Sequence, residues 1–256
     1  MLKPDDRGHL HPLSQIIFDV SKTFESMGFR AAQGPEVETE FNNFDALNVP
    51  ANHPARAMQD TFWLKPFAEA NGSPDHLSKT NDLGLKPRDK NILLRTHMTA
   101  VSLRELAKKQ LPLRVFSPGR VFRNEATDAT HEAQFYQFDG LAIDRPGQIT
   151  MADLKGTLEH FYRELFGQDI EMRMRASFFP FVEPGVEVDI KWGDRWLEVC
   201  GAGMLHPNVF KAAGLDPNEW QGFAFGSTID RLAMIKYGIE DIRHFYNGDL
   251  RFLKQF

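Results

Sequence analysis

Apolar positions recur at helical spacing in several stretches of the chain. Leu13, Ile16, Ile17, Val20, Phe24 and Met27 lie three or four residues apart for most of their run, which predicts a helix over 13–27 with Gly28 as its stop. Leu103, Leu106 and Ala107 mark a shorter helix ending on Lys108 and Lys109, cations suited to a helix C-terminus. Thr150 can cap a helix whose stripe is Leu154, Leu158, Phe161, Tyr162 and Leu165. A last helix is predicted over 227–237, and residues 41–48 read as a short one closed by Pro50. Elsewhere apolar and polar residues alternate or cluster as in strands: 36–40, 92–95, 114–117, 120–124, 134–143, 171–175, 186–192, 195–200 and 222–226. Residues 1–12 form a polar lead-in, and 65–90, rich in Pro, Gly, Asn and Asp, read as a long surface hairpin or loop.

The strands come in consecutive groups, with helices between groups rather than after every strand. That order predicts an α+β fold on an antiparallel sheet flanked by helices, not a doubly wound parallel sheet. The 256 residues suffice for one large domain or two small ones, and 42% hydrophobic with 25% charged residues is a globular balance. The single cysteine, Cys200, excludes an internal disulfide framework and any multi-thiolate metal site. A net charge of −5 argues against a broad basic face for nucleic acid, though a local groove stays open. No apolar run of signal-peptide length opens the chain and none reaches ~18 residues, so a cytoplasmic protein that does not span a membrane is expected. Neither GxxxxGK[ST] nor a strand-linked GxGxxG is present, so any nucleotide must be held another way.

Three constellations could carry chemistry. In the first, Arg123 and Glu125 precede a polar loop to His131, and period two then places Phe135, Gln137 and Asp139 on one strand face. An arginine fork with a carboxylate two residues on could hold a nucleotide at both ends; the plain alternative is a solvated sheet face with an Arg–Glu pair. In the second, a strand breaks at Gly226 into a helix that carries Arg231 in about its first turn, beside the N-terminal end that favours phosphate. An arginine there more often pairs with an Asp. The third joins Phe178-Phe-Pro-Phe181 to the strand carboxylates Glu187, Asp189 and Glu198, which are either ordinary exposed carboxylates or Mg²⁺ ligands beside a nucleotide. His97 alone reads as a capped or core histidine.

In their joint order these segments resemble the catalytic domain of the phenylalanyl-tRNA synthetase α-subunit family, a class II aminoacyl-tRNA synthetase, from about Gly8 to the final segment 250–256. Gly34-Pro-Glu-Val-Glu38 looks like motif 1, Arg123-Asn-Glu125 like motif 2 and Gly226 to Arg231 like motif 3. His53-Pro-Ala-Arg56, Asp60-Thr-Phe-Trp-Leu64, Leu94-Arg-Thr-His97, Phe179-Pro-Phe181, Gly201-Ala-Gly203-Met and His206-Pro-Asn208 complete the set. The resemblance implies a class II catalytic domain over 13–256 that activates L-phenylalanine with ATP, releases pyrophosphate and transfers phenylalanine to the 3' end of tRNA(Phe). It implies Arg123, Arg231 and His97 as catalytic, with Arg123 on the α-phosphate and Arg231 on the γ-phosphate. His131 would touch the phosphates, Glu125 the adenine edge, and Phe135 would stack on the adenine ring. His97, Thr99, Gln137 and Asp139 would surround the polar end of phenylalanine, and Phe179, Phe181 and Ala224 its ring. Glu198 would hold Mg²⁺.

The same resemblance implies a homodimer through motif 1 (helix 13–27 and strand 36–40) and, in the bacterial-type family, a β subunit in a heterotetramer. The family's N-terminal helical arm, which contacts tRNA, would precede residue 1. The chain departs from the family at Asp139, where Glu is usual, at Asp230, where Glu is frequent, at Thr99-Ala100 for Ser-Pro, and at Thr228 for Gly. Two alternatives stand beside the enzyme: a degenerate synthetase fold acting as an amino-acid sensor or assembly subunit without turnover, and a synthetase for another amino acid. Both phosphate-type arginines favour turnover, and the Phe179-Pro-Phe181 wall favours a flat aromatic substrate.

Overall fold

The computed structural model describes residues 9–57, 59–64 and 91–256. The predicted loop 65–90 and residues 1–8 of the lead-in lie outside them. In chain order the elements are α1 (Pro12–Ser26), β1 (Arg30–Ala31), β2 (Val37–Thr39), α2 (Glu40–Asn43), β3 (Trp63–Leu64), β4 (Ile92–Leu94), α3 (Thr99–Leu106), β5 (Leu113–Phe122), β6 (Gln134–Asp144) and α4 (Met151–Phe166). There follow β7 (Met172–Phe179), β8 (Val182–Trp192), β9 (Arg195–Leu205), α5 (Pro207–Ala212), β10 (Gln221–Thr228), α6 (Ile229–Tyr237) and α7 (Leu250–Leu253), with short 3-10 turns between some of them.

Seven strands make the main sheet in the order β1-β5-β6-β10-β9-β8-β7, and β2-β4-β3 form a small second one. Pairing is antiparallel except at one edge, where β1 runs parallel to β5 with Arg30 opposite Val115. The α+β layout is as read from the sequence, but the sheet is mixed, because a two-residue edge strand is too short to leave a periodic signal. Period two sorts the sheet's faces. Phe138 and Phe225 point to α1, α4 and α6, where Phe24 stacks on Phe161 at 4.9 Å and on Phe225 at 5.2 Å. Phe135, Leu141 and Ala224 face the other way, toward Phe44, Leu93 and Val101. The first face is sealed by helices; the second holds the cavities.

Several boundaries differ from the sequence reading. Residues 114–117 and 120–124 are not two strands but one, since β5 runs on through Pro118 and Gly119 opposite Phe138 and Gln137. Phe116 O accepts from Ala32 N, so Pro118, two residues on, turns its missing N–H past the end of β1, where no partner is needed. The strand does not break at Gly226: β10 continues to Thr228 and the helix starts at Ile229. Residues 41–48 divide into α2 and a 3-10 turn, Asp45–Leu47, at Phe44, whose φ of −135° leaves the helical region, and Asn48 with a left-handed φ of 59° ends the turn. Helix α5 escaped notice, although Pro207 at its start and the His206 ring accepting from Asn208 N (3.1 Å) define it. Helix α4 begins as expected at Thr150, whose N–H and hydroxyl both donate to Asp153 Oδ2, at 2.8 and 2.7 Å.

Candidate active site

The residues that the resemblance assigns to phenylalanine, ATP and Mg²⁺ line one of two adjoining cavities, whereas Phe178, Glu187 and Asp189 line neither. The first, about 400 Å³, is lined by His97, Thr99, Gln137, Asp139, Phe179, Phe181, Glu198 and Ala224 among others; the second, about 270 Å³, by Glu125, His131, Phe135 and Arg231. Arg123 lines both.

The first cavity has an aromatic and a polar end. Phe179 and Phe181 stack 6.0 Å apart at 24°, on the two sides of Pro180. Gly201 leaves them room: a Cβ there would stand 2.9 Å from Phe179 Cζ. Ala224, held in β10 between Leu141 and Gly203, is 6% exposed and supplies a methyl wall. At the polar end Asp139 is buried and accepts from the Thr99 hydroxyl. Gly226 makes space for it, since a Cβ would meet Asp139 Oδ1 at 2.6 Å. Burial raises the Asp139 carboxyl to about 7, against the Thr99 hydrogen bond and the Arg95 charge. His97 Nε2 lies 2.9 Å from Asn43 O, an acceptor, so Nε2 carries the proton and Nδ1 keeps a lone pair. That buried Nδ1 has no partner among the described residues. Burial and the Arg123 charge lower this imidazole to about 4, so it is neutral at pH 7.

The second cavity brings two arginines, Arg123 and Arg231, together with two carboxylates, Glu125 and Glu132. Arg231 sits in the first turn of α6, half-buried, with no hydrogen bond or ion pair among the described residues. Arg123 reaches Thr96 O (3.4 Å) but no carboxylate in ion-pair range, and its guanidinium lies 5.1 Å over the Phe135 ring. The Arg123–Glu125 and Arg231–Asp pairings considered as plain alternatives do not form among the described residues. His131 Nδ1 is 3.0 Å from Asp128 Oδ2, which leaves Nε2 for the cavity. Asp128 Oδ1 also accepts from the N–H groups of Thr130 (2.7 Å) and His131 (2.8 Å) and so fixes that loop.

The three strand carboxylates separate in role. Asp189, 2% exposed, is gripped by Arg173 (2.8 Å) and Arg175 (2.7 Å), and Glu187 by Arg175 (2.8 Å) and Ser177 (2.9 Å). Glu198 is exposed at the cavity rim, 3.9 Å from Arg175. Burial and the Glu187 and Asp189 charges raise its carboxyl, against the charges of Arg175 and Arg231. Among the described residues no three His, Cys, Asp or Glu side chains converge to cage a metal. Glu198 therefore fits a Mg²⁺ whose remaining ligands come from phosphate and water.

Sequence reasoning missed Asn43, which orients His97 through its carbonyl and Thr96 through its side chain (2.9 and 3.2 Å). It also missed Arg95, buried with Nε on Arg120 O (2.7 Å) and Nη1 on Gly34 O (2.9 Å). Neither carries a local signal, because their partners are 25 to 61 residues away.

Residues 2–256 match the family described as tRNA synthetases class II core domain (F). The chain is 46% identical to a phenylalanine–tRNA ligase alpha subunit of Zymomonas mobilis, over 98% of this chain and 68% of that protein. It is likewise 46% identical to the alpha subunit of Bacillus pumilus, over 97% and 69%. Among solved structures it resembles a pyrrolysyl-tRNA synthetase from Desulfitobacterium hafniense with a TM-score of 0.66, over 93% of this chain and 74% of that one, at 18% identity. That likeness concerns the fold.

Proposed function

The chain belongs to the phenylalanine–tRNA ligase alpha-subunit family of class II synthetases, and on that premise we propose that its two cavities are the phenylalanine and ATP sites of the ligase reaction. The chain is an ATP-dependent aminoacyl-tRNA ligase specific for phenylalanine. The observation that carries the assignment of sites is Arg123, whose guanidinium borders both cavities and so stands where a carboxylate and an α-phosphate would meet.

In this reading the ring of phenylalanine lies against Phe179 and Phe181 with Ala224 at its edge. Asp139, Thr99, Gln137 and the Nδ1 lone pair of His97 take the ammonium, leaving the carboxylate turned toward Arg123. Glu125 meets the adenine edge, Phe135 the ring, and His131 and Arg231 the outer phosphates. A carboxylate oxygen attacks the α-phosphorus; the new C–O–P bond forms as the bond to pyrophosphate breaks. No protein nucleophile is required, only cations over the developing charge and aligned reactants. Glu198 would hold Mg²⁺, which supplies further neutralisation of phosphate charge when bound. The adenylate then passes phenylalanine to the 3' end of tRNA(Phe).

We also read motif 1, here α1 and β2, as the contact of a homodimer, and a beta subunit as the partner that the family's alpha subunit takes. Among the described residues no helix is long and apolar enough to cross a membrane. The sensor reading has no observation in its favour, since both arginines remain free of carboxylate partners among the described residues. Amino-acid-dependent ATP–pyrophosphate exchange tests the proposal. Exchange with phenylalanine above every other proteinogenic amino acid supports it; ATP and phenylalanine binding without exchange would favour the sensor.

A further inference from the structure

The nucleotide cavity is bordered by the segment that follows α6. Ile242 lines it, and the Ile242 N–H donates to Ala129 O (2.9 Å) in the loop that carries His131. Four residues on, the Tyr246 hydroxyl donates to Asp230 Oδ1. Asp230 Oδ2 accepts from the Tyr136 N–H of β6 at 2.7 Å. One fully buried carboxylate thus joins three elements: the strand that carries Phe135, the helix turn that carries Arg231, and residues 242–246.

Two further observations give this junction its weight. Thr228, at the N-cap of α6, makes no side-chain cap hydrogen bond, so the first turn is not held by its own cap. Arg231 has no ion-pair or hydrogen-bond partner among the described residues, and the Glu198 charge attracts it without contact, so its position follows chiefly from that turn. Asp230 makes no ion pair among the described residues either, and its donors from other residues are an amide and a phenol. Burial, with the Glu132 charge, raises its carboxyl to about 6, while Tyr246, the Tyr136 amide and its own N–H oppose the rise. A buried carboxylate with so few donors depends on each of them.

We infer that Tyr246 is a positioning residue for the nucleotide cavity: by donating to Asp230 it locks the first turn of α6 onto β6 and so sets where Arg231 stands relative to Phe135. The inference rests on reading this cavity as the ATP site. Tyr246 itself does not line the cavity.

The test measures dissociation constants of α,β-methylene-ATP and of L-phenylalanine, together with Tm, for the full chain and its variants. Tyr246→Phe removes one oxygen and is expected to raise the Kd of the analogue roughly five- to tenfold, the size of one ordinary hydrogen bond. The Kd of phenylalanine should stay within about twofold, a split that general loosening would not produce. Asp230→Asn is expected to show the same split, and reports it even if Tyr246→Phe does not fold. Adding Tyr246→Phe to Asp230→Asn should then weaken the analogue by less than about twofold more, because the two residues act as one unit. An unchanged analogue Kd in the single variants, equal losses for both ligands, or additive effects in the double variant would each overturn the inference. If the unsubstituted chain binds phenylalanine but no nucleotide analogue, the ATP reading of the cavity falls first, and the inference with it.

Discussion

Arg231 and Arg123 bring two positive charges to a cavity whose walls offer them no carboxylate in ion-pair range among the described residues. Arg231→Ala should therefore raise the barrier to activation by about 2–4 kcal/mol through ATP parameters, leaving phenylalanine binding nearly unchanged; pyrophosphate exchange measured at varied ATP checks it. The polar end of the amino-acid cavity carries a pH signature. Asp139 titrates near about 7 when the cavity is free, whereas an ammonium ion beside it favours the charged form and draws that value down. Phenylalanine binding then expels a proton, so affinity rises as pH increases from 6 to 8 and weakens as Asp139 is protonated below 7. His97, lowered to about 4, adds no limb in that window. Calorimetric Kd against pH should show this slope, and Asp139→Asn should flatten it; a flat profile in the unsubstituted chain would refute the assignment. At the ring end, Ala224→Gly deletes the wall methyl and should raise kcat/KM for para-chlorophenylalanine relative to phenylalanine by an amount within ~1–3 kcal/mol. Steady-state kinetics with both substrates decide it.

Elements place these residues with different degrees of redundancy. Helix α4 lies on the sealed face and starts at the Thr150–Asp153 box, so Asp153→Ala should cost about 1 kcal/mol in urea unfolding while leaving exchange kinetics unaltered. The elements that show themselves in the sequence are those with a strong period: α1 and α4 with their stripes, and β6, whose alternation separates Phe138 from Phe135 and Asp139. What the sequence hides depends on distant neighbours. The parallel strand β1 exists only because β5 is there to receive two residues, and Pro118 is tolerated inside β5 only because β1 has already ended. The same holds in the site. Charged and aromatic side chains at motif spacing announce Arg123, Phe179 and Arg231, whereas Asn43 and Tyr246 act through partners 54 and 16 residues away and look ordinary where they stand.

Across the whole molecule, helices seal one side of the sheet and two cavities open on the other, with Arg123 lining both. Arg123 lies over Phe135, in the place where a nucleotide base or phosphate would compete for it. Whichever ligand arrives first has to settle that side chain, and the second finds it already settled. Free energy around the closed cycle must balance, so the factor by which bound ATP analogue lowers the Kd of phenylalanine equals the factor by which bound phenylalanine lowers the Kd of the analogue. Titrating each ligand in the absence and presence of the other should return one coupling constant, greater than unity, and Arg123→Ala should bring it close to one. The shared wall would then make the pair of sites a logical gate, in which each substrate is held best when the other is there to react with it.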